Sequence, residues 1–203
     1  MISVITGDII NSRKSSPDLW LKLLKIELNA SGKTPDFWEI YGGDTFQLRV
    51  DDPLKALTAA IRLKAVIKLQ KPLDVRLAIG IGDITYKSKK ITECNGPAFI
   101  YSGEKFKTLK KEKQKLAVKS EWPDFDTTIN LCLKLGMIAM DKWSVNSAEM
   151  VALALSYPQD SQADLGKMLK IKQNAVSTRF SRAHYDELME LNELYKNKLS
   201  ALL

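Results

Sequence analysis

The sequence predicts an α+β protein with a ferredoxin-like sheet in residues 1–123 and an all-α region with a helix-turn-helix in residues 124–203. Two observations lead to this prediction. Up to residue 120, apolar runs typical of strands alternate with amphipathic helical segments, and the opening elements follow the order β-α-β-β-α-β. After Trp122-Pro123, the remaining segments indicate helices only.

Composition is that of an ordinary globular protein. Its 203 residues, 45% of them hydrophobic, suffice to bury one sizeable core or two modest ones without disulfides. Cys94 and Cys132 are far apart and His184 is the only histidine, which argues against a zinc site, a disulfide framework and histidine-based triads. No apolar run approaches the roughly 20 residues that span a bilayer, and no basic segment opens the chain, so we expect a cytoplasmic protein without a membrane partner.

Two acidic residues stand at the ends of predicted strands. Residues 2–5 form an apolar run that indicates the first strand, and Asp8 closes it. Gly42-Gly43 supplies the positive φ of a tight hairpin, and Asp44 follows directly. Carboxylates on adjacent strand ends can chelate Mg²⁺ together with the phosphates of a nucleotide. The alternative is that each Asp caps a turn, a common position for this residue.

The remaining elements of the sheet region follow from caps, breakers and periodicity. One helix is predicted within residues 16–32, and a second, with a Lys- and Arg-rich outer face, within 51–72. Residues 75–81 indicate a strand, a turn at 95–97 precedes a short helix, and 115–120 indicate a last strand. A ferredoxin-like sheet of this kind is antiparallel and carries its helices on one face.

The C-terminal region contains a helix-turn-helix pattern. A helix over residues 161–169, with Ala163 facing inward, a turn at 170–172 and a helix from Gln173 match this unit. The side chains expected to point outward can contact base edges and phosphates of double-stranded DNA: Lys172, Gln173, Asn174, Ser177, Thr178, Arg179 and Arg182. The alternative is a helical packing module.

Two further helices precede this unit in the prediction, one over residues 129–139 and one over residues 147–156. Residues 129–139 indicate a buried linker helix. The helix that begins at Gln173 is predicted to continue to Leu202, with apolar residues spaced by three and four positions from Leu188 onward. Such a stripe packs either on its own domain or on a second chain in a homodimer.

Three motifs resemble the catalytic palm of class III nucleotidyl cyclases and diguanylate cyclases over roughly residues 1–120: Gly7-Asp8-Ile9-Ile10, Gly43-Asp44-Thr45-Phe46 and Arg76 to Gly82. The resemblance implies Mg²⁺ at Asp8, Ile9 and Asp44. It also implies a nucleotide beside Gly43, Arg76, Gly80 and Gly82, because glycines admit a close neighbour. Cyclases also place an Asn and an Arg on the helix after the fourth strand, and residues 96–103 lack this pair. Thr45 replaces the Glu of diguanylate cyclases, so binding is better supported than catalysis.

The chain as a whole resembles the SatD family of bacterial proteins. The motifs that carry this resemblance are Gly7 to Arg13, Gly43 to Gln47, Gly80-Ile81-Gly82, Asn95 to Ala98 and Asn174 to Ser177. It implies a DNA-binding transcriptional regulator whose cyclase-like domain binds a nucleotide with Mg²⁺. The enzyme alternative is a nucleotidyl cyclase or transferase with Asp8 and Asp44 as metal ligands, and a third alternative is a scaffold without either activity.

Charge is unevenly distributed along the chain. Residues 1–123 contain 22 Lys or Arg and 14 Asp or Glu, a net charge of +8, whereas residues 124–203 contain 9 and 10, a net charge of −1. The basic excess therefore lies outside the predicted DNA-binding region. Within that region, however, basic residues cluster around the predicted turn and second helix: Lys167, Lys170, Lys172, Arg179 and Arg182. The lysines between 105 and 119 are expected either to contact flanking DNA or nucleotide phosphates, or to form a solvated helix face and protect an edge strand from pairing.

Overall fold

The fold was obtained as a computed structural model that describes residues 1–203, and it is α+β, as the sequence predicts. The strands are β1 (Ile2–Ile10), β2 (Trp38–Tyr41), β3 (Thr45–Val50), β4 (Asp74–Gly82) and β5 (Leu116–Lys119). The helices between them are α1 (Pro17–Asn29), α2 (Ala56–Ile67) and α3 (Pro97–Leu109). Five helices follow: α4 (Pro123–Met140), α5 (Val145–Ser156), α6 (Gln162–Leu169), α7 (Gln173–Ala183) and α8 (Tyr185–Ser200).

The five strands form one mixed sheet in the order β2-β3-β1-β4-β5. The first three neighbouring pairs are antiparallel, whereas β4 and β5 are parallel. The expectation of a purely antiparallel sheet is therefore wrong. The physical reason is that β5 returns to the sheet through the crossover helix α3, and such a crossover joins parallel strands.

Helices cover both faces of the sheet, which corrects the expectation of one covered face. Alternate side chains of β1 point to opposite faces: Ile5 and Ile9 pack in the main core with α1, α2 and α4, whereas Val4 packs with Phe99 of α3. On the α3 side, the hydroxyl of Thr6 donates a hydrogen bond to the Ser102 hydroxyl at 3.0 Å. Asp8 has the same parity as Val4 and therefore lies on the α3 face.

The hairpin between β2 and β3 is confirmed. Gly42 and Gly43 have φ values of +60° and +94°, a region that side chains other than glycine rarely adopt. Tyr41 pairs with Thr45 across the turn, which leaves Asp44 as the residue that enters β3. The acidic residue is thereby held at a defined point at one end of the sheet.

A single hydrophobic core extends across residue 123. Its 36 buried residues include side chains from the sheet, α1, α2, α4, α5 and α8. On α8, Tyr195 is fully buried, and its hydroxyl donates a hydrogen bond to the carbonyl oxygen of Pro53 at 2.9 Å. A separate small cluster, which contains Met150, Leu165, Val176 and Phe180, joins α5, α6 and α7. In packing terms, α4 and α8 belong to the sheet, α6 and most of α7 pack in the small cluster, and α5 contributes side chains to both clusters.

The C-terminal helices differ from the prediction in three respects. His184 has a φ of +54°, so it ends α7 and begins α8, and the expected continuous helix is interrupted there. The helix α4 is only half buried, since Leu135 and Ile138 are about 60% exposed. Ala163 is exposed, because Leu165 and Gly166 form the buried side of α6.

A partly buried cluster of charges joins the sheet to α4. Lys64 of α2 is only 1% exposed, which corrects the expectation of a basic outer face on this helix. Its Nζ donates hydrogen bonds to Asp74 Oδ1 at 2.7 Å and to Asp141 Oδ1 at 2.9 Å. Lys115 reaches the second oxygens of the same two carboxylates at 3.0 and 2.9 Å. Burial by itself would raise the pKa of Asp74, but the lysines outweigh burial and hold this pKa below its usual value.

We predict that Asp74→Asn lowers the free energy of unfolding at pH 7 by about 3 to 5 kcal/mol, because it leaves Lys64 buried with one carboxylate fewer. A depressed folded-state pKa stabilises the protein above the unfolded value of about 3.8, and this stability is lost as the pH falls through the folded value. The difference in the free energy of unfolding between wild type and variant should therefore become smaller below pH 4. Urea unfolding at pH 7 and pH 3 measures it, with Asp160→Asn, which removes no ion pair, as the control. A difference that is independent of pH would contradict the prediction.

Candidate functional site

Asp8 and Arg76 form the centre of the first candidate site. They lie directly opposite each other on β1 and β4, on the α3 face of the sheet. Arg76 Nε donates a hydrogen bond to Asp8 Oδ1 at 2.9 Å, and Nη2 donates to Oδ2. These hydrogen bonds are the main reason that the pKa of Arg76 is raised. The pair is bidentate, and the side chains of Asp8 and Arg76 remain 16% and 23% exposed to solvent.

Asp44 lies beside this pair. The amide of Ile9 donates a hydrogen bond to the Asp44 carbonyl oxygen at 3.1 Å, which places the hairpin turn next to the end of β1. The hydroxyl of Ser12 donates to Asp44 Oδ2 at 2.6 Å. The negative charge of Asp44 also contributes to the raised pKa of Arg76. The structure thus brings together Asp8, Ile9, Asp44 and Arg76 as the sequence predicts.

The donor set at this end of the sheet fits Mg²⁺ only in part. Mg²⁺ is commonly held by one or two carboxylates, with waters and phosphate oxygens completing its octahedron. Asp8 and Asp44 supply two carboxylates, and no cluster of three or more His, Cys, Asp or Glu side chains that could hold a metal ion is present in the protein. Arg76 engages both oxygens of Asp8. Each oxygen of Asp8 therefore already accepts one hydrogen bond, and a cation would have to use a remaining lone pair or replace the guanidinium.

The glycines predicted to bind a nucleotide lie in two different environments. Gly43 is exposed in the hairpin turn, and a Cβ added there would meet no atom within 4 Å. A Cβ on Gly80 would lie 2.2 Å from the Ala98 carbonyl oxygen, and one on Gly82 would lie 2.7 Å from Pro97 Cβ. The close neighbour that these two glycines admit is α3. This placement does not support a nucleotide contact at Gly80 or Gly82, because the helix backbone occupies that space.

Helix α3 carries no charged group toward Asp8 of the kind that cyclases use. Lys105 is the first basic residue of the helix, and its Nζ donates a hydrogen bond to Glu112 at 2.7 Å. Residues 96–103 therefore contain no basic side chain, and the only basic residues of α3 are Lys105 and Lys107 in its second half.

Several polar neighbours of the site are not identified by the sequence. Thr45 lies opposite Asp8 in the β1–β3 register, and Tyr41 lies opposite Thr45. Together with Arg76, these side chains form one row across four strands at the same end of the sheet. Only the strand register aligns them. The sequence also does not identify Ser12 as a neighbour of the site, because Ser12 and Asp44 are 32 positions apart in the chain.

The second candidate site is the unit formed by α6, a three-residue turn and α7. Ser161 begins α6 by accepting a hydrogen bond from the Asp164 amide at 3.2 Å. Lys170 ends the helix with a φ of +54°. A Cβ on Gly166 would lie 2.9 Å from the Ile171 carbonyl oxygen, so the turn packs directly on α6. Val176 on the inner side of α7 then completes the cluster shared with α5.

One side of α7 is open to solvent. Six of the predicted DNA-contacting residues are exposed, and none of them forms an ion pair: Lys172, Gln173, Asn174, Ser177, Thr178 and Arg182. Arg179 differs from these six, because its Nη1 donates a hydrogen bond to Glu149 of α5 at 2.7 Å and its side chain is only 20% exposed. Arg179 must leave Glu149 before it can contact another partner.

A polar recess lies between the start of α5 and α7. It has a volume of about 350 Å³, and its lining includes Ser144, Asn146, Asn174, Thr178 and Arg182. Residues 144–184 contain five basic and three acidic side chains, a net charge of +2. Two of the basic side chains are neutralised locally by ion pairs with acidic neighbours. The unpaired basic side chains of this segment are those of Lys170, Lys172 and Arg182.

No protein-family model, curated protein or solved structure matches the chain. The motif resemblances described above therefore stay predictions, and the geometry of the two candidate sites carries the functional argument. None of the eight helices combines the length and the apolar character that a membrane crossing requires.

We predict that Gly80→Ala lowers the free energy of unfolding by about 3 kcal/mol or more, because the added methyl group meets the backbone of α3. Gly103→Ala is the matched control on α3. A Cβ there meets nothing within 4 Å, so the substitution should raise stability by about 0.5 to 1 kcal/mol through helix propensity. Urea unfolding measures both variants. Equal stability of Gly80→Ala and wild type would show that α3 does not pack on β4 in this way.

Proposed function

We propose that the chain is a bacterial, cytoplasmic DNA-binding regulator that uses α6 and α7 as a helix-turn-helix, and that its sheet binds a nucleotide with Mg²⁺. The observation that carries the proposal is one side of α7 on which six polar or basic side chains are exposed and the two charged ones, Lys172 and Arg182, form no ion pair. Polar side chains and unpaired positive charge on one helix face are what a duplex recognises.

The build of residues 145–183 supports a helix-turn-helix. A short helix, a three-residue turn and a second helix are the parts of this motif, and α5 packs behind them on a shared apolar cluster. Val176, Phe180 and Ala183 form the buried side of α7. The opposite side is free to enter the major groove, where the first residues of a recognition helix contact base edges.

The exposed residues divide into two roles by their chemistry. Gln173 and Asn174 lie at the start of α7 and can form paired hydrogen bonds with adenine. Lys172 and Arg182 lie near the two ends of the helix and suit phosphates on either side of the groove. Arg179 takes part only if Glu149 releases it.

The sheet supports the second half of the proposal. The order β2-β3-β1-β4, with every neighbouring pair antiparallel, is that of a ferredoxin-like sheet, and cyclase palms have this arrangement. Asp8 and Asp44 would hold Mg²⁺, and Arg76 would turn from Asp8 to a phosphate oxygen. The same placement of motifs favours membership of the SatD family.

We favour binding over the nucleotidyl cyclase or transferase alternative. Stabilisation of charge on a transferring phosphoryl group requires a cation fixed in place before the reaction. In this protein α3 carries no Arg, and Arg76 is paired with Asp8. A regulatory nucleotide needs only affinity, which Arg76 and the two carboxylates can provide.

For DNA, we predict that the double variant Lys172→Ala, Arg182→Ala loses salt-dependent binding while its melting temperature is unchanged, because both side chains are exposed and unpaired. If both contact phosphates, the slope of log K against log salt should fall by about 2. Fluorescence anisotropy on duplexes selected from genomic fragments measures this change.

The matched control is Lys22→Ala, Lys25→Ala, which removes two exposed lysines from α1. The proposal fails if wild type binds no duplex, or if the two double variants bind with the same affinity and the same salt slope.

For the nucleotide, we predict that Asp8→Asn and Asp44→Asn each abolish any Mg²⁺-dependent rise in melting temperature that a nucleoside triphosphate causes in wild type. Each substitution removes one of the two carboxylates whose negative charge acts on Arg76. A thermal-shift panel of the four triphosphates, with Mg²⁺ or with EDTA, measures the effect, and Asp160→Asn is the control. Absence of a shift in wild type with every nucleotide would reject the nucleotide half of the proposal only.

A further inference from the structure

Helix α4 exposes a ridge of large apolar side chains. Leu131, Leu135 and Ile138 are 60%, 61% and 60% exposed, and their spacing of four and three positions places them on one helix face. The opposite face of α4 is buried against the sheet through Ile129, Leu133 and other residues. A helix that is apolar on both sides has one face in need of a partner.

An open groove lies next to this ridge, between α4 and α8. Gly136 allows the two helices to approach each other, since a Cβ there would lie 3.2 Å from Leu191 Cδ2 and 3.5 Å from Leu188 Cδ2. The groove has a volume of about 830 Å³, and Leu135, Ile138, Leu188, Leu191 and Leu194 contribute to its lining. The ridge thus forms one wall of the groove, so that an apolar projection and an apolar depression stand side by side.

The charges that line the groove balance. Lys142 and Arg182 supply two positive charges, and Glu187 and Glu190 supply two negative charges. The chain as a whole carries +7, so this groove is a neutral area on a basic molecule. Two copies can therefore meet here without the repulsion that their net charges would cause elsewhere.

We propose that the groove is covered by a second copy of this chain, in a two-fold dimer in which the ridge of each α4 occupies the groove of the other. An interface of this kind uses the same surface on both subunits, so that surface must complement itself in shape and in charge. The adjacent ridge and groove satisfy the first requirement, and the balanced charges satisfy the second. A small molecule in the groove would leave Leu131 uncovered, since this residue extends the ridge beyond the groove lining.

The proposed dimer also predicts how the protein would bind DNA. This part of the inference rests on the proposed function. Arg182 borders the groove and also belongs to the exposed side of α7, so the interface adjoins the DNA-contacting surface. A two-fold dimer carries two recognition helices and binds paired half-sites about 10 base pairs apart, or a multiple of this spacing.

The test compares Leu135→Glu and Ile138→Glu with Ile26→Glu, which places the same charge on an exposed apolar position of α1. All three positions are exposed in helices, so the fold should tolerate glutamate at each. Light scattering coupled to size exclusion measures mass from about 1 to about 100 µM. We expect wild type and Ile26→Glu to have twice the 22.8 kDa of one chain. The two α4 variants should dimerise at least about 100-fold more weakly, because the interface would bury an unpaired charge.

A wild type that has the mass of one chain over the whole range overturns the inference, and so does an α4 variant that dimerises as well as wild type. DNA anisotropy on the same samples separates this outcome from failure of the proposed function. If wild type is a dimer that Leu135→Glu dissociates but neither binds DNA, the dimer stands and the regulator proposal fails. If wild type binds DNA as a single chain, the regulator proposal stands and the dimer is overturned.

Discussion

The ion-pair cluster around Asp74 joins the two parts of the molecule. It lies where β4 begins, and it connects Lys64 of α2 and Lys115 before β5 to Asp141 at the end of α4. Because Lys64 is almost fully buried, its charge is stable only while both carboxylates stay in place. Arg76 follows two positions after Asp74 on β4, and α5 begins four positions after Asp141. Strand β4, which carries Arg76, and helix α5, which packs against α7, therefore both begin close to this cluster.

The pairing of Asp8 with Arg76 determines what the sheet site can do. Two carboxylates near each other repel, and one guanidinium between them reduces that repulsion in the free protein. A nucleotide with Mg²⁺ would allow an exchange of partners, in which the metal takes the carboxylates and the phosphate takes the guanidinium. On the proposed function, this exchange makes binding of metal and nucleotide mutually dependent, since neither alone satisfies every charge.

The C-terminal helices fall into two groups according to what they pack against. Helices α4 and α8 are anchored to the sheet, with Tyr195 and Leu199 fully buried there, whereas α5–α7 share a cluster of their own. Helix α5 has side chains in both clusters, so it joins the proposed DNA-contacting unit to the core of the sheet. Helix α4 exposes its ridge, so a dimer formed through this ridge would set the distance between two such units directly.

Features that depend on neighbouring residues can be predicted from the amino-acid sequence. The Gly42-Gly43 hairpin, the start of α1 at Pro17 and the α6–turn–α7 unit arise from local turn preferences, caps and periodicity, and each is present as predicted. The end of α7 at His184 is the local exception, because an αL residue other than glycine or asparagine gives no clear signal.

The partners that these elements contact become visible only in the folded protein. Asp8 pairs with a residue 68 positions away, α3 rather than a nucleotide covers Gly80, Glu149 holds Arg179, and α4 and α8 join the sheet. Strand register and helix packing fix these contacts between residues far apart in the chain, and a pattern of spacing within one segment carries no information about them.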